Sequence, residues 1–227
     1  MEFSTIFQNI IKIMTRYWDV FLIKGLSTTI TLSLITVFFG AILGSLLALG
    51  KMSRFGLLRF IVTAYVEVIR GTPILLQLYF GYFILPQLLP ALALDTYTSI
   101  CIALIFNSAA YVSEVIRSGI QAVDYGQTEA ARSLGLNKTQ TLLKVVLPQA
   151  IRNILPALGN EFVMMIKETS LASTFFVGDL MTSYLVVKGN TYLSFECLVI
   201  VGIIYFVVTF TLSKLIGVFE KRMKANA

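Results

Sequence analysis

DYGQTEAARSLGLNKTQTLLKVVLP, residues 124–148, is a long polar stretch in an otherwise apolar chain. It reads as two short helices about a glycine corner. Asp124 is an N-cap, and Gln127, three residues on, is placed to close a capping box. Gly135 ends the first helix, because glycine takes the left-handed conformation past a helix C-terminus without steric cost. Asn137 and Gln140 repeat the box for the second helix. Pro148 is expected to limit that helix, since it disfavours helical geometry at the residue before it. Ala130 and Ala131 are small enough to admit another backbone. Leu134, Leu136, Leu142, Leu143, Val145 and Val146 offer an apolar side to hold the segment on the rest of the chain. Such a knuckle reads either as a docking element for another protein or as an ordinary amphipathic loop, and composition alone favours the loop.

Around it lies a membrane protein. Of 227 residues, 57% are hydrophobic and 13% charged, with mean hydropathy +0.83. Soluble domains carry about a quarter charged residues. The 18 Lys and Arg exceed the 12 Asp and Glu, giving a formal +6. Basic cytoplasmic loops account for that excess, so nucleic acid is not an expected partner. With no His in the chain, no His-based metal site or pH switch is expected. Cys101 and Cys197 sit in apolar runs and read as small packing residues, not as a disulfide or metal framework. No catalytic residues, bound cofactor or metal are expected. The N-terminus lacks the basic-then-apolar pattern of a cleaved signal peptide.

Residues 3–18 alternate at helical spacing. Phe3, Ile6, Phe7, Ile10, Ile11, Met14, Tyr17 and Trp18 fall on one side, with Ser4, Gln8, Asn9, Lys12 and Arg16 on the other. Residues 1–19 therefore form an amphipathic helix, lying either in the membrane interface or on the chain's own spans. A single transmembrane domain occupies 20–220, with five spans at about 25–50, 56–86, 97–120, 150–186 and 193–217. The polar loop covers 122–148, and a basic tail covers 221–227. Span 1 carries Gly40-x-x-x-Gly44, a face for close helix packing. Span 2 holds YVEVIRGTPILLQLYF, where Pro73 cannot donate an N–H and crowds the carbonyl of Ile69, so the helix should kink or break.

Five spans put the termini on opposite sides. Lys51, Arg54, Arg59, Arg117, Arg132, Lys138, Lys144, Arg152, Lys221, Arg222 and Lys224 share one side; Lys12, Arg16, Lys24 and Lys188 share the other. Eleven cations against four put the knuckle and C-terminus in the cytoplasm and the N-terminus outside. Polar residues then collect inside the bilayer. At 1.5 Å per residue, Arg70 lies about 22 Å and Lys167 and Glu168 about 27 Å from the cytoplasmic ends of their spans, and Asn107 about 15 Å from the outer face. Polar groups at one level on three spans point to a substrate site or gate. The residues are Glu67, Arg70, Gly71, Thr72, Asn107, Lys167, Glu168, Thr169 and Ser170. The alternative is that Glu67, Arg70, Lys167 and Glu168 pair internally to hold the bundle. The half-helix after Pro73 would aim its positive end at an anionic group. An amino acid carries a carboxylate for that end and an ammonium for Glu67 or Glu168.

The knuckle's spacing resolves its two readings. Glu129-Ala130-Ala131, three residues, Gly135, nine residues, Val145, one residue and Leu147-Pro148 resembles the EAA loop of ABC importer permeases. The family pattern has Ile where Val145 stands. Glu67-Val68-Ile69-Arg70-Gly71-Thr72-Pro73 and Lys167-Glu168-Thr169-Ser170-Leu171 are similar to stretches of the permeases that import polar amino acids. This resemblance implies an all-α type I importer fold of the MetI-like kind. It implies two permeases, as a homo- or heterodimer, with two cytoplasmic ABC ATPase subunits and an extracytoplasmic amino-acid-binding protein. Glu129, Ala130, Ala131, Arg132, Leu134 and Gly135 would be the helix seated in the ATPase. The chain has no Gly-x-x-x-x-Gly-Lys-[Ser/Thr] loop, so ATP and Mg belong to the partner. An ion-driven secondary transporter or a non-transporting scaffold for an ATPase are the rival readings.

Overall fold

The computed structural model describes residues 3–225, which are helical with short connections. Helix α1 (Phe3–Trp18) runs through a wide π turn at Asp19–Gly25 into α2 (Leu26–Lys51). Helix α3 (Gly56–Gly71) is followed by α4 (Ile74–Phe83) and the short α5 (Leu85–Leu88). Then come α6 (Thr96–Gln121), α7 (Tyr125–Ser133), α8 (Lys138–Thr141) and α9 (Leu147–Glu168). A 3₁₀ stretch (Thr169–Phe175), α10 (Leu180–Thr191) and α11 (Ser194–Ala225) complete the chain. Asn226 and Ala227, part of the expected basic tail, lie outside the described residues, as does the side chain of Lys224.

Three segments are long and apolar enough to cross a membrane: Ser4–Lys51, Thr96–Gln121 and Ser194–Met223. Two broken pairs, Gly56–Gly71 with Ile74–Phe83 and Lys138–Phe175 with Leu180–Thr191, bring the number to five when each pair is one span. The first break falls where Pro73 predicts it. Thr72 is extended, at φ −117° and ψ 149°, which is the geometry a residue before proline prefers. The second pair bends by 46°.

The chain forms two compact units. One comprises Met1–Thr36, Leu75–Leu104 and Val163–Leu212; the other comprises Val37–Ile74, Ile105–Phe162 and Ser213–Ala227.

In the first unit, buried Ile13, Phe21, Leu180, Val187, Cys197, Ile200 and Val201 form the core. Ile10, Met14 and Tyr17 pack against it, so one face of α1 lies on the chain's own helices. Phe7, Ile11 and Trp18 on α1 are exposed. Asn9 Nδ2 donates to the buried Glu196 at 3.0 Å. In the wide turn, the Val20 carbonyl accepts from Ser183 Oγ at 2.9 Å. Asp179 caps α10, accepting from Met181 N at 2.9 Å and Thr182 N at 3.2 Å. Asp95 caps α6 by accepting from Thr98 N at 2.9 Å, and its bonds with Thr98 hold the carboxyl below its ordinary range.

In the second unit, the Gly40-x-x-x-Gly44 stripe does what such stripes do. A Cβ on Gly44 would stand 2.8 Å from Val112 Cβ and 2.9 Å from the Ala109 carbonyl oxygen. One on Gly40 would stand 2.9 Å from Ser108 Cβ. Hence α2 and α6 approach with nothing between their backbones at these levels. Val62 and Val66 of α3 pack on Ala110 of α6, with Leu47, Tyr65 and Ile69 around them. Tyr65 donates to the Phe106 carbonyl at 2.7 Å.

Candidate functional site

The loop between α6 and α9 is built from local rules. Asp124 N-caps α7, its carboxylate accepting from Gly126 N at 2.6 Å. The expected capping box does not form there. Gln127 turns instead to Gln149, whose Nε2 lies 3.4 Å from Gln127 Oε1 and 3.0 Å from the Val145 carbonyl. At the other end Gly135 sits at φ +88°. Gly135 N donates to the Arg132 carbonyl at 3.0 Å and Leu136 N to the Ala131 carbonyl at 3.2 Å. These two bonds are a complete Schellman motif. The box at α8 forms as expected: Gln140 N donates to Asn137 Oδ1 at 2.9 Å, and Asn137 N to Gln140 Oε1 at 3.0 Å.

Pro148 does not stop the second helix. A π turn at Leu142–Val146 joins α8 to α9, and Pro148 stands at the second position of α9. The wide turn shifts the hydrogen-bond register just before the residue that has no N–H to give, and the helix passes through.

The loop's faces also differ from the sequence expectation. Ala131 is 5% exposed and packs inside the loop. Glu129, Ala130, Arg132 and Gly135 are exposed, and Leu134 is 85% exposed. Leu134, Leu142 and Leu143 therefore face outward, against the expectation that they form the loop's apolar holding side. Of that side only Val146 is buried, as is Thr141 of α8. A cleft of about 730 Å³, with Asp124, Tyr125, Arg132 and Lys138 on its walls, opens beside α7.

The mid-span polar residues fall in both units. In the second, Arg70 brings Nη1 within 3.8 Å of Glu114 and lays its guanidinium over the Tyr111 ring, 5.5 Å from the centroid. Thr72 Oγ1 donates back to the Val68 carbonyl at 2.9 Å, and Gly71 is exposed. Asn107 is buried. Ser108 Oγ lies 3.4 Å from Glu161, a carboxylate only 5% exposed. In the first unit, Lys167 is exposed, Glu168 half-buried and Thr169 buried with its hydroxyl on the Ile166 carbonyl at 2.8 Å. Ser170 offers its carbonyl to Ser173 Oγ at 2.7 Å.

Among the described residues, no ion pair joins Glu67, Lys167 or Glu168 to a partner. Of the four residues considered for internal pairing, Arg70 lies within ion-pair distance of a carboxylate, that of Glu114, which is not one of the four. Glu67 is exposed on α3.

Three features lie beyond the reach of the sequence pattern. Glu114 and Arg117 are visible as an i, i+3 pair, but the convergence of Lys51 and Arg70 on them needs three helices. Glu161 is visible as one more polar residue in a span, and its contact with Ser108, 53 residues away, is not. An aromatic cluster joins Phe175 to Tyr79 and Tyr82, with both ring centroids 5.0 Å away; the aromatic spacing of α4 is its sole signal.

Residues 40–225 match the family described as binding-protein-dependent transport system inner membrane component. The chain belongs to this family. Its relatives among such permeases include the arginine transport system permease protein ArtQ of Bacillus subtilis, 40% identical over 91% of this chain and 94% of ArtQ. A putative glutamine transport system permease protein, GlnP of Rickettsia bellii, is 37% identical over 96% of this chain and 98% of its own. Among solved structures, an amino acid ABC transporter crystallised with histidines superposes with TM-score 0.86 at 43% identity, covering 92% of this chain and 96% of that one. The permease is thus a multi-pass, all-helical membrane component of a transport system with the type I importer fold that the EAA-like spacing implied.

Proposed function

We propose that this permease is the membrane subunit of an ATP-binding-cassette importer of a polar amino acid, of the arginine, lysine, histidine or glutamine type. The observation that carries the proposal is the EAA-like loop, capped at both ends, with Leu134 and Ala130 turned outward. The relatives named for arginine and glutamine transport support it. In this reading the loop and C-terminus face the cytoplasm and the N-terminus the outside, in a bacterial or archaeal cytoplasmic membrane. Two permeases, alike or different, pair over two ABC ATPase subunits, which bind ATP and Mg. An extracytoplasmic binding protein delivers the amino acid.

The loop carries the work. ATP closes the ATPase dimer, the loops seated on it move, and the pathway changes its open side. ATP acts only through its different affinity for the two permease states. Glu67, Arg70, Gly71, Thr72, Asn107, Lys167, Glu168, Thr169 and Ser170 are the proposed pathway residues. Buried Glu161, with Ser108 beside it, joins them as a carboxylate suited to the substrate's ammonium.

Uptake of labelled amino acid into proteoliposomes tests the reading. Uptake should require the ATPase subunit and ATP and should ignore ionophores; uptake that collapses with an ion gradient indicates a secondary transporter. The combined Arg70→Ala and Glu168→Ala variant should lose at least about tenfold in uptake, on the order of 1.4 kcal/mol. Unchanged uptake removes both residues from the pathway.

A further inference from the structure

Glu114, on α6, gathers three cations about one carboxylate. Lys51, the last residue of α2, donates Nζ to Oε1 at 2.5 Å. Arg117, one turn further along α6, makes a two-point bond to the same carboxylate, with Nη2 at 2.7 Å and Nε at 3.1 Å from Oε2. Arg70, in the last turn of α3, stands at 3.8 Å and rests on Tyr111. Arg117 has a second engagement: its Nη1 donates to Gln121 Oε1 at 2.5 Å. Gln121 closes α6 and lines the cleft beside α7, three residues before the N-cap Asp124.

An unbroken polar chain therefore runs from the root of the loop through Gln121, Arg117 and Glu114 to the end of α2. It also reaches Arg70, whose next neighbours are Gly71, Thr72 and Pro73 at the helix break. The side chains of Lys51 and Glu114 are only 10% and 16% exposed. Water screens them little, and a two-point arginine–carboxylate bond there is stiffer than a surface pair. Arg70 differs from the other two cations. At 3.8 Å it makes no hydrogen bond to Glu114, so it is the member that can change partner at least cost. An element with two cheap arrangements is what coupling between distant places physically needs.

We propose that Glu114 is a positioning residue for the transport cycle, relaying movement of the 122–148 loop to the helix break after Arg70. The proposal rests on the ATP-driven import reading above. Apolar packing of α6 on α2 would transmit a push whatever the charge on Glu114. Ile69 and Tyr65 also pack the end of α3 toward α6, and the charge adds the contact of Arg70 with Glu114.

The test is the number of substrate molecules moved per ATP hydrolysed, in proteoliposomes holding the permease with its ATPase and binding-protein partners. Glu114→Gln keeps the shape and removes the charge. It should continue to hydrolyse ATP while the ratio falls about tenfold. Glu114→Asp should retain at least about half the wild-type ratio. Arg117→Gln should resemble Glu114→Gln, and the double variant should be no worse than either, because serial links in one chain do not add. Gln121→Ala changes an exposed side chain and decides the matter should Glu114→Gln not fold; it should lower the ratio about threefold. Wild-type ratios in the Glu114→Gln or Gln121→Ala complexes, or additive losses in the double variant, overturn the relay. A wild-type complex that hydrolyses ATP and moves no substrate overturns the import reading, and the relay with it.

Discussion

Ala131 is 5% exposed and Leu134, three residues on, is 85% exposed. Both belong to the same motif, but substitution at the two positions should fail differently. Ala131→Arg forces a long cation into a filled, apolar position. Overpacking costs about 1–3 kcal/mol, and an unpaired buried charge adds to it. The loop should therefore unfold locally, seen as faster proteolysis between residues 124 and 148. Leu134→Arg touches nothing inside and should leave stability within about 0.5 kcal/mol. It should weaken capture of the ATPase subunit by about tenfold, or about 1.4 kcal/mol, in a binding assay with detergent-purified permease. Equal proteolysis of the two variants contradicts the inward placement of Ala131. The small residue at position 131 thus serves the loop's own interior, and the proposed contact surface is left to its neighbours.

At the level of elements, α2 and α6 show how close contact depends on what is absent. Gly44→Leu places its first carbon 2.8 Å from Val112 Cβ, and the helices must part. That should cost about 1–3 kcal/mol and lower the thermal unfolding midpoint in detergent, whereas Gly202→Leu, with open space around it, should not. An unchanged midpoint for Gly44→Leu contradicts the close crossing. The glycine stripe is readable from sequence because one residue type alone carries it. The Asn137–Gln140 box and the Gly135 corner are readable because their partners lie within five residues. The Asp124 box misleads because Gln127 has a competing partner 22 residues away. The stop expected at Pro148 misleads because a local change of helix type removes the conflict that proline creates. The ion cluster at Glu114 follows the same division: its Arg117 arm is local, and its Lys51 and Arg70 arms are not.

For the whole molecule, the five-span reading follows from hydropathy and one proline, because in hydrocarbon only continuous internal hydrogen bonding is tolerated. Sidedness rests on cation counts, and it can be measured. Cys101 and Cys197 are buried, so a thiol placed at the exposed Leu134 by Leu134→Cys is the one a membrane-impermeant maleimide should reach. In intact cells it should stay unlabelled, and in inverted vesicles it should label fully. Labelling of intact cells places the loop outside and reverses the assignment of every connecting segment. Substrate identity, in contrast, leaves little trace in the chain. Among the proposed pathway residues, Glu161 and Glu168 are carboxylates that would suit the ammonium common to all amino acids as well as a cationic side chain.

The wide turn at Leu142–Val146 has a consequence for how such chains tolerate insertion and deletion. A π turn holds one residue more than the α turn it replaces. Removing any one of these five residues would close the helix in ordinary register and restore the conflict with Pro148 that the wide turn relieves. It would also turn α8 and the loop before it by about 100° around the axis of α9. Every residue of the docking surface would survive, facing the wrong way. Chain length through this segment therefore acts as a phase setting, and a single-codon deletion there should silence the permease.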